Sequence, residues 1–276
     1  MTRVEDLTQP SLFIPHGGGP CFFMEWTLGP PNSWDRLAIW LRGIAATLPM
    51  LPKAIIVFSG HWEEDCFAVT SSAKPALIYD YYGFPEHTYN LTYPAPGAPD
   101  LARQIIARLT HAGLPTLADD QRGFDHGVFI PLKLLFPDAD IPIVQVSLHN
   151  NLDPALHLAA GTALAPLRKE GVLIVGSGMS YHNMRGFGDP RFRPASDAFD
   201  AWLTEAVTQT DANNRNDALI SWESAPSARS AHPREEHLLP LMAASGAGGD
   251  GPGEKVFTDN PMEATISAFR FGAPPD

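Results

Sequence analysis

The amino-acid sequence predicts an α/β fold, with a mixed or mostly parallel central sheet flanked by helices on both faces in a single domain, residues 1–276. Short apolar runs rich in β-branched residues alternate with longer segments whose apolar residues recur at three- and four-residue spacing. Several of the short runs lack a polar face, which is typical of strands covered on both sides by helices. The length of 276 residues lies near the upper limit for one hydrophobic core.

The order of these segments predicts a sheet built from strand and helix in alternation. The predicted strands are 11–14, 54–59, 67–71, 141–148 and 171–178. The predicted helices are 34–48, 98–113, 151–171, about 196–210 and 235–249, the last of which is ended by glycines. The Gly/Pro-rich segment 271–276 is predicted to be a loose C-terminal tail.

Charge and cysteine content narrow the function. The chain has 19 basic against 31 acidic residues and a formal net charge of −12, which argues against nucleic acid as a partner because phosphates require clustered Lys and Arg. No apolar run reaches the roughly 18 residues of a membrane span, and the N-terminal segment has no signal core. Two cysteines, Cys21 and Cys66, are too few for a disulfide framework. We expect a cytoplasmic protein that binds a small molecule; the oligomeric state stays open.

A histidine followed by three glycines, residues 16–19, ends the first predicted strand. A phosphate-binding loop would need a following Lys-Ser/Thr pair or glycines at dinucleotide spacing, and neither is present. In open α/β sheets, ligands gather at the carboxyl ends of strands. We therefore interpret His16 as a site residue and the glycines as small residues that leave room beside it.

Four further histidines occupy similar places. His61 follows the second predicted strand, His182 follows the fifth, His126 lies between an acid and a glycine, and His232 precedes the helix 235–249. Several neutral imidazoles converging on one edge of a sheet are typical of a zinc or iron site. The other histidines lie in predicted helices or polar loops and are interpreted as structural or surface residues: His87, His111, His149, His157 and His237.

Six segments resemble the class III extradiol ring-cleavage dioxygenases, which are LigB-like, and most closely the branch of DOPA 4,5-dioxygenase. The resemblance runs in the same order from about residue 11 to 270. It implies an enzyme that uses a non-haem metal and O2 to open a catechol ring beside its hydroxyls, giving a muconic semialdehyde-type product. Fe(II) is the implied working metal, and Zn(II) is also found bound in this branch. The segments are PHGGGP, SGHWE, YDYYGFPEHTYNLTYPAPGAPDLA, RGFDHGVFIPLKLLFPDADIPIVQVSL, VLIVGSGMSYHNMR and AHPREEHLLPL.

The resemblance also implies which residues bind the metal. His16 and His61 match the first two metal-binding histidines, and His232 matches a late histidine that completes the site. The usual iron site of the wider class has two histidines and one carboxylate, so Glu235 or Glu236 stays open as an oxygen ligand.

Two more histidines match the family's active-site positions. His182 is implied to be the acid/base that moves protons of the catechol, or else a further metal ligand. His126 is implied to hydrogen-bond the substrate or dioxygen and is the second choice for the acid/base.

The sequence also suggests pocket residues. The aromatic segment 80–94 lies between metal-binding motifs and either walls the pocket or simply packs as a Pro/Tyr-rich loop. Tyr181 is a candidate because it adjoins His182. A carboxylate on the substrate would need a basic partner, and three arginines lie near site histidines in the chain: Arg122, Arg185 and Arg234.

Two other functions stay in view. A zinc hydrolase would use a glutamate beside the histidines of segment 232–237, although the two histidines there are five residues apart and do not form the H-E-x-x-H motif. A non-catalytic metal-binding relative on the same fold is the other alternative. Metal analysis and oxygen consumption with catechols would separate the three.

Overall fold

Eight strands form one mixed sheet in the computed structural model of the protein, which describes residues 8–272. The strands are β1 (Ser11–Pro15), β2 (Ala54–Glu64), β3 (Phe67–Thr70), β4 (Thr116–Asp119), β5 (Ile143–His149), β6 (Val172–Gly178), β7 (Glu254–Asp259) and β8 (Ile266–Phe271). The helices are α1 (Asp35–Gly43), α2 (Pro99–His111), α3 (His126–Leu135), α4 (Pro154–Leu164), α5 (Arg193–Val207), α6 (Ala212–Ile220), α7 (Ala228–Ala231) and α8 (Leu239–Gly248).

The strand order across the sheet is β4-β3-β5-β2-β6-β1-β8-β7. The central strands β5, β2, β6 and β1 are parallel to one another. The flanking strands β3 and β8 run antiparallel to this centre. The carboxyl ends of β1, β2 and β6 therefore meet at one edge, where open α/β sheets collect their ligands.

Helices cover both faces of the sheet, which confirms the predicted fold class. Within β2, Ile55 and Val57 pack into one core with side chains of α1, α3 and α5. Ile56 and Phe58 point the other way, into a second core with α2 and α4. Successive side chains of a strand face opposite sides, so a strand covered twice has to be apolar throughout.

The predicted elements appear with shifted ends, and six elements were missed. The five predicted strands correspond to β1, β2, β3, β5 and β6, and the five predicted helices to α1, α2, α4, α5 and α8. The missed β4 and β7 are edge strands with mixed polar and apolar side chains, so pairing with β3 and β8 defines them rather than pattern. The missed α3 carries Pro131 inside an almost wholly apolar run, which hides its helical period. The remaining missed elements are β8, α6 and α7.

The loose C-terminal tail was predicted to begin too early in the chain. Phe271 was assigned to a loose tail, 271–276, but it ends β8 and is buried against the core. Residues 273–276 lie outside the described part of the chain.

Within residues 8–272, no helix combines the length and the apolar character that crossing a membrane requires. Both cysteines are free thiols. The cytoplasmic location stays a prediction.

Candidate metal centre and catalytic pocket

Three imidazoles meet at the carboxyl edge of the sheet. His16 follows β1, His61 lies in the outer part of β2, and His237 lies in the turn before α8. The Nε2 atom of His61 is 3.2 Å from Nε2 of His16 and 3.2 Å from Nε2 of His237. One nitrogen from each ring lies within 4.8 Å of the others. The structure thus brings together three nitrogen atoms that can share one ion.

The end of β6 holds two of these histidines in place. The carbonyl of Gly178 accepts a hydrogen bond of 3.1 Å from the backbone N–H of His16. The next residue, Met179, donates a 3.0 Å hydrogen bond from its backbone N–H to the carbonyl of His237. A side chain at Gly178 would collide with that same carbonyl, and a Cβ at Gly60 would lie 3.1 Å from the carbonyl of Glu236. Glycine at both positions lets the turn before α8 lie directly on the strands.

An irregularity in β2 presents His61. The pairing of β2 with β5 matches Phe58 to Val146 but Glu63 to Leu148, so three extra residues of β2 are accommodated between these pairs. Such bulges redirect side chains near active sites. His61 lies in this bulge, and β2 pairs with β5 again at Glu63 and Glu64, beyond the predicted end at residue 59.

The arrangement of protons on these rings fits a divalent metal. Nδ1 of His16 lies 2.8 Å from the carbonyl oxygen of Gly17, and Nδ1 of His237 lies 2.8 Å from Oε1 of Glu236. Because these oxygens only accept, each Nδ1 carries the hydrogen and each Nε2 presents a lone pair. His61 lies between them and has at most one Nε2 hydrogen, so it cannot satisfy both neighbours. A cation that accepts all three lone pairs resolves this conflict.

The burial of the three rings and the distances between their nitrogen atoms also fit a shared metal ion. Burial first, and then the nearby imidazoles, lower the pKa values of His16, His61 and His237 well below the ordinary 6.5, which keeps the rings neutral as metal ligation requires. Two nitrogens bound to one metal at about 2.1 Å, at angles of about 90–110°, are roughly 3.0–3.4 Å apart. The observed 3.2 Å separations lie within this range.

The structure corrects the assignment of His232 to this cluster. His232 is fully buried elsewhere, with its ring 5.2 Å from the ring of Phe199 and 6.0 Å from that of Trp222. Its Nε2 donates a 3.0 Å hydrogen bond to the carbonyl of Ser180. Burial lowers the pKa of His232 to about 3, so the ring is neutral and has a structural role beside the His182 segment. The third imidazole is His237, which the sequence analysis placed inside a helix.

The two carboxylates considered as oxygen ligands, Glu235 and Glu236, have different partners in the structure. Glu235 forms an ion pair of 2.5 Å with Arg229 and is not part of the histidine cluster. Glu236 Oε1 accepts from Nδ1 of His237 at 2.8 Å and from Nδ1 of His182 at 3.1 Å. Burial opposes ionisation of Glu236, but the hydrogen bond from His182 and the nearby positive charges outweigh it and lower the pKa. Glu236 thus orients imidazoles from behind.

The two histidines proposed for proton transfer flank the cluster. The ring of His182 stacks on that of His237, with centroids 3.4 Å apart and planes inclined by 19°. The ring centroid of His126 lies 3.9 Å from that of His61. Both rings border the same cavity as the three converging imidazoles. His16, His61, His126 and His182 are therefore brought together as the sequence motifs indicated.

Asp80 holds His126 as Glu236 holds His182. Its Oδ1 accepts from the backbone N–H of His126 at 2.9 Å and from Nδ1 of the same residue at 2.8 Å, and its Oδ2 lies 3.6 Å from Nδ1 of His61. Burial raises the pKa of Asp80, but the hydrogen bond and the charge of His126 outweigh burial and lower it overall. Asp80 thereby fixes the orientation of His126 through two hydrogen bonds and lies beside His61.

A buried polar group anchors the start of α3. Asp125 precedes His126 and is fully buried; it accepts from Oγ of Ser59 at 2.8 Å and from the side-chain amide of Gln145. Burial raises the pKa of Asp125, opposed by these hydrogen bonds. Because Ser59 belongs to β2 and Gln145 to β5, the network joins the helix that carries His126 to the centre of the sheet.

A cavity of about 390 Å³ opens over the histidines, within the range of about 300–1,000 Å³ usual for ligand pockets. Gly17, Gly18 and Gly19 border it; Gly17 and Gly19 have φ of +85° and +57°, conformations that favour glycine. The glycines therefore turn the chain tightly and leave space beside His16. Most other walls are aromatic or apolar, among them Trp26, Trp34, Tyr81, Phe84, Met179 and Phe187. Segment 80–94 does supply part of the wall.

The residues predicted to bind substrate lie away from this cavity. Tyr181 is buried in the core against Phe187, with ring centroids 5.5 Å apart, and does not border the cavity. Arg122 donates a 3.2 Å hydrogen bond to the carbonyl of His61 and stacks on Trp62, so it supports the β2 backbone.

The other two arginines lie outside the cavity as well. Arg234 forms two hydrogen bonds of 2.5 Å with the carboxylate of Glu63 and lies 3.5 Å from Oε2 of Glu236. Arg185 is exposed, and it does not border the cavity. The structure therefore gives none of the three candidate arginines a direct place in the pocket.

Sequence reasoning missed His237 and Asp80. A local signal for His237 was present: Pro240 suits the first turn of a helix, so a helix beginning near residue 239 leaves His237 in the preceding turn. Asp80 had no such signal, because only the fold brings segment 80–94 against the start of α3.

The chain is similar to known proteins over most of its length. The family model described as the catalytic LigB subunit of aromatic ring-opening dioxygenase matches residues 13–270. A 4,5-DOPA dioxygenase extradiol from Beta vulgaris is 42% identical over 250 residues, covering 89% of each chain. The dioxygenase tasH from Hapsidospora irregularis is 36% identical over 280 residues, covering 95% of this chain and 85% of its own. A crystal structure of an uncharacterized protein from Escherichia coli K12 superimposes with a TM-score of 0.75 at 29% identity, covering 96% of this chain and 100% of the other.

Proposed function

The chain belongs to the LigB family of aromatic ring-opening dioxygenases, and from this premise we propose that it is a metal-dependent extradiol dioxygenase. The proposed reaction cleaves the ring of a catechol-type substrate, DOPA-like or another small catechol, with O2 to a muconic semialdehyde-type product. The observation that carries this proposal is the meeting of three imidazole lone pairs at the base of a largely apolar cavity.

His16, His61 and His237 would hold the metal. A bound Fe(II), the proposed working metal, would supply chelation of both catechol oxygens and electron transfer to dioxygen, while Zn(II) is the alternative bound metal. Three neutral nitrogen ligands suit chemistry that needs open coordination positions. The carbonyl of Gly17 and the carboxylate of Glu236 fix the two outer rings through Nδ1.

His182 is the proposed acid/base. Because its Nδ1 is held 3.1 Å from Glu236, its Nε2 is the atom free to take a proton from the catechol and return it as the ring opens. His126 is arranged in the same way, with Nδ1 held by Asp80 and Nε2 free. We assign His182 first because its ring stacks directly on His237, and His126 second, as the residue that hydrogen-bonds substrate or dioxygen.

The walls of the cavity support an aromatic substrate. Trp26, Trp34 and Tyr81 offer flat apolar surfaces, on which an aromatic ring packs favourably and from which water is excluded. The polar groups of the cavity are concentrated in the histidines. A catechol can therefore turn its two hydroxyls towards the imidazoles and its carbon skeleton towards the aromatic walls.

The test is anaerobic reconstitution of the protein with Fe(II), followed by air-saturated buffer and a panel of catechols. Oxygen consumption and a coloured ring-opened product are expected, with about one O2 used per product because both atoms are incorporated. His182→Gln should lower kcat by about 10²–10⁴-fold if it is the acid/base. Protein loaded with Zn(II) is the control and should consume no oxygen.

Absence of oxygen uptake with every catechol would contradict the proposal. Hydrolysis of an ester or amide by the Zn(II) protein would instead favour the zinc hydrolase, and neither activity would favour a non-catalytic metal-binding relative. The geometry gives the hydrolase little support, because Glu236 lies against Nδ1 of His182 and His237 and does not border the cavity where a hydrolysable substrate would bind.

A further inference from the structure

The bulge of β2 and the start of α3 lie in direct contact beside the candidate site. The bulge carries His61 and the helix begins with His126, and the centroids of the two rings are 3.9 Å apart. A Cβ at Gly127 would lie 3.0 Å from Cδ2 of His61 and would overlap Oγ of Ser59. Glycine therefore lets the first turn of α3 approach the strand closely. The groups that hold this contact also set the distance between the two imidazoles.

The side chain of Asp125 lies at the centre of this contact. It is fully buried, and three donors point at it: Oγ of Ser59 at 2.8 Å, the side-chain amide of Gln145, and Nη2 of Arg122 at 3.4 Å. The two oxygens of a carboxyl group can accept all three bonds at once. The backbone carbonyl of Asp125 accepts from the N–H of Val128 at 2.9 Å and so begins α3. Asp125 therefore belongs to the helix and is bonded to the sheet.

Both backbone polar groups of His61 are attached to partners of Asp125. The N–H of His61 donates to Oγ of Ser59 at 3.3 Å, and this hydroxyl in turn donates to Asp125. The carbonyl of His61 accepts from Nη2 of Arg122 at 3.2 Å, the same nitrogen that lies 3.4 Å from Oδ2 of Asp125. Two chains of hydrogen bonds thus run from one buried carboxyl group to a single residue of the bulge. They hold the backbone at a point where the pairing of β2 with β5 is interrupted.

Arg122 is suited to link the two segments. Its Nη2 carries two hydrogens, one for the carbonyl of His61 and one for the carboxyl group of Asp125. Its guanidinium lies over the ring of Trp62, 4.9 Å from the ring centroid, and this stacking fixes the direction of the donors. The arginine that follows β4 is thereby bonded to the bulge of β2 and to the residue before α3.

We propose that Asp125 and Arg122 are positioning residues, which hold the backbone of His61 and the start of α3 in fixed relation to each other. Nε2 of His61 then stays aimed at Nε2 of His16 and of His237, and His126 stays beside it. Neither Asp125 nor Arg122 borders the cavity, so both act through the histidines. The inference rests on the proposed metal site and adds to it two residues that lie outside the cavity.

The first experiment compares Asp125→Asn with Asp200→Asn. Asp200 is the matched control, because it is only 7% exposed and accepts from Oγ of Ser267 at 2.5 Å and from Nζ of Lys255 at 2.6 Å, between α5 and the strands β7 and β8. Each substitution keeps the shape of the side chain and turns an amide N–H towards a donor, so both should lower the free energy of unfolding in urea. Only Asp125→Asn should raise the Kd for Co(II), by about 10–100-fold in competition with a chromophoric chelator.

The visible absorption of bound Co(II) reports the arrangement of its ligands without any turnover. The bands of folded Asp125→Asn should shift, and those of Asp200→Asn should match the wild type. A wild-type Kd and spectrum in folded Asp125→Asn would overturn the inference, and so would an equal rise in Kd in both variants, because that rise would follow stability alone. If the wild type cleaves no catechol, the proposed function fails, and these two measurements still decide the inference.

Substitutions at Arg122 test the other half of the network. Arg122→Met should raise the Kd for Co(II) by about tenfold or more, and Arg122→Lys should raise it less, because an ammonium can still donate to both acceptors. Arg108→Met is the control: the side chain of Arg108 is 32% exposed and pairs with Glu170 at 3.0 Å on α2, and its loss should leave the Kd unchanged. Equal Kd values in Arg122→Met and Arg108→Met would overturn the role of Arg122.

The double variant Asp125→Asn/Arg122→Met tests whether the two residues act together. Because both substitutions break the same connection to His61, the rise in Kd should be smaller than the product of the two single effects. A rise equal to that product would show two independent effects and would overturn the shared network.

Discussion

Replacing His237 with alanine should cost the protein its metal, whereas replacing His232 should not. His237 places Nε2 3.2 Å from Nε2 of His61, while His232 uses its Nε2 on the carbonyl of Ser180. Structural zinc sites bind with about 10–16 kcal/mol from four ligands, which is about 3 kcal/mol for each ligand. Removing His237 should therefore raise the Kd for the metal by roughly a hundredfold or more.

Replacing His232 should have the opposite effects, lowering the stability of the fold and leaving the metal affinity nearly unchanged. Its ring is fully buried between Phe199 and Trp222, so truncation to alanine should lower the free energy of unfolding by about 2–5 kcal/mol. The metal Kd of the folded variant should change by less than about tenfold. His232→Gln is the milder companion, because its amide can still donate to the carbonyl of Ser180.

The assay is a competition titration of Zn(II) or anaerobic Fe(II) against a chromophoric chelator, paired with urea unfolding of each variant. Unfolding curves identify any variant that fails to fold, so that a loss of metal is scored only for folded protein. Wild-type affinity in His237→Ala, together with lost affinity in a folded His232→Gln, would show that the sequence-based assignment was right and the geometric one wrong.

Two further substitutions probe how the site is held, and a third probes a buried histidine, His157, that lies outside the histidine cluster. Glu236→Gln weakens the acceptor for Nδ1 of His237, and a metal titration should show a Kd raised about 10–100-fold. Gly178→Ala forces a Cβ against the carbonyl of His237, and urea unfolding should show a loss of about 1–3 kcal/mol together with weaker metal binding. Burial lowers the pKa of His157 from 6.5 to about 4, so the unfolded chain takes up a proton first as the pH falls. His157 therefore contributes stability that is present above about pH 6.5 and lost towards pH 4, and His157→Gln should lose about 2 kcal/mol less than the wild type between pH 7.5 and pH 5.

Each of these substitutions has its own control. An unchanged metal Kd in Glu236→Gln would mean that this carboxylate does not support the ligand. Gly43→Ala is the control for Gly178→Ala, because a Cβ at Gly43 meets no atom within 4 Å, and it should not weaken metal binding. His111→Gln, at an exposed histidine, should follow the pH dependence of the wild type; equal pH dependence in His157→Gln would remove the buried ring as its cause.

The sequence predicted those parts of the site that follow directly from strands. His16 and His61 come after apolar runs that form parallel strands of one sheet, separated by β6, so their convergence follows from parallel strands ending at a common edge. His126 and His182 were identified by motif, and the structure places both beside the cavity. The edge strands β4 and β7 were not predicted, because their side chains show no clear hydrophobic period and the strands are defined by pairing with a neighbour.

The remaining site residues depended on contacts between distant segments. His237 and His232 lie five residues apart, and periodicity alone does not tell which of them faces the strands. The choice depends on close approach: Gly60 and Gly178 admit the turn that carries His237, while Phe199 takes up His232 in the core.

By itself, the sequence determined the α/β class, the edge at which ligands gather and the chemical type of the site, because each follows from local periodicity and from the residue types at strand ends. The tertiary structure decided which third imidazole completes the cluster, that Asp80 and Glu236 hold the histidines, and that the candidate arginines lie outside the cavity. These depend on distances between segments far apart in the chain, which are set by packing of the whole sheet and its helices and are encoded in no single stretch of residues.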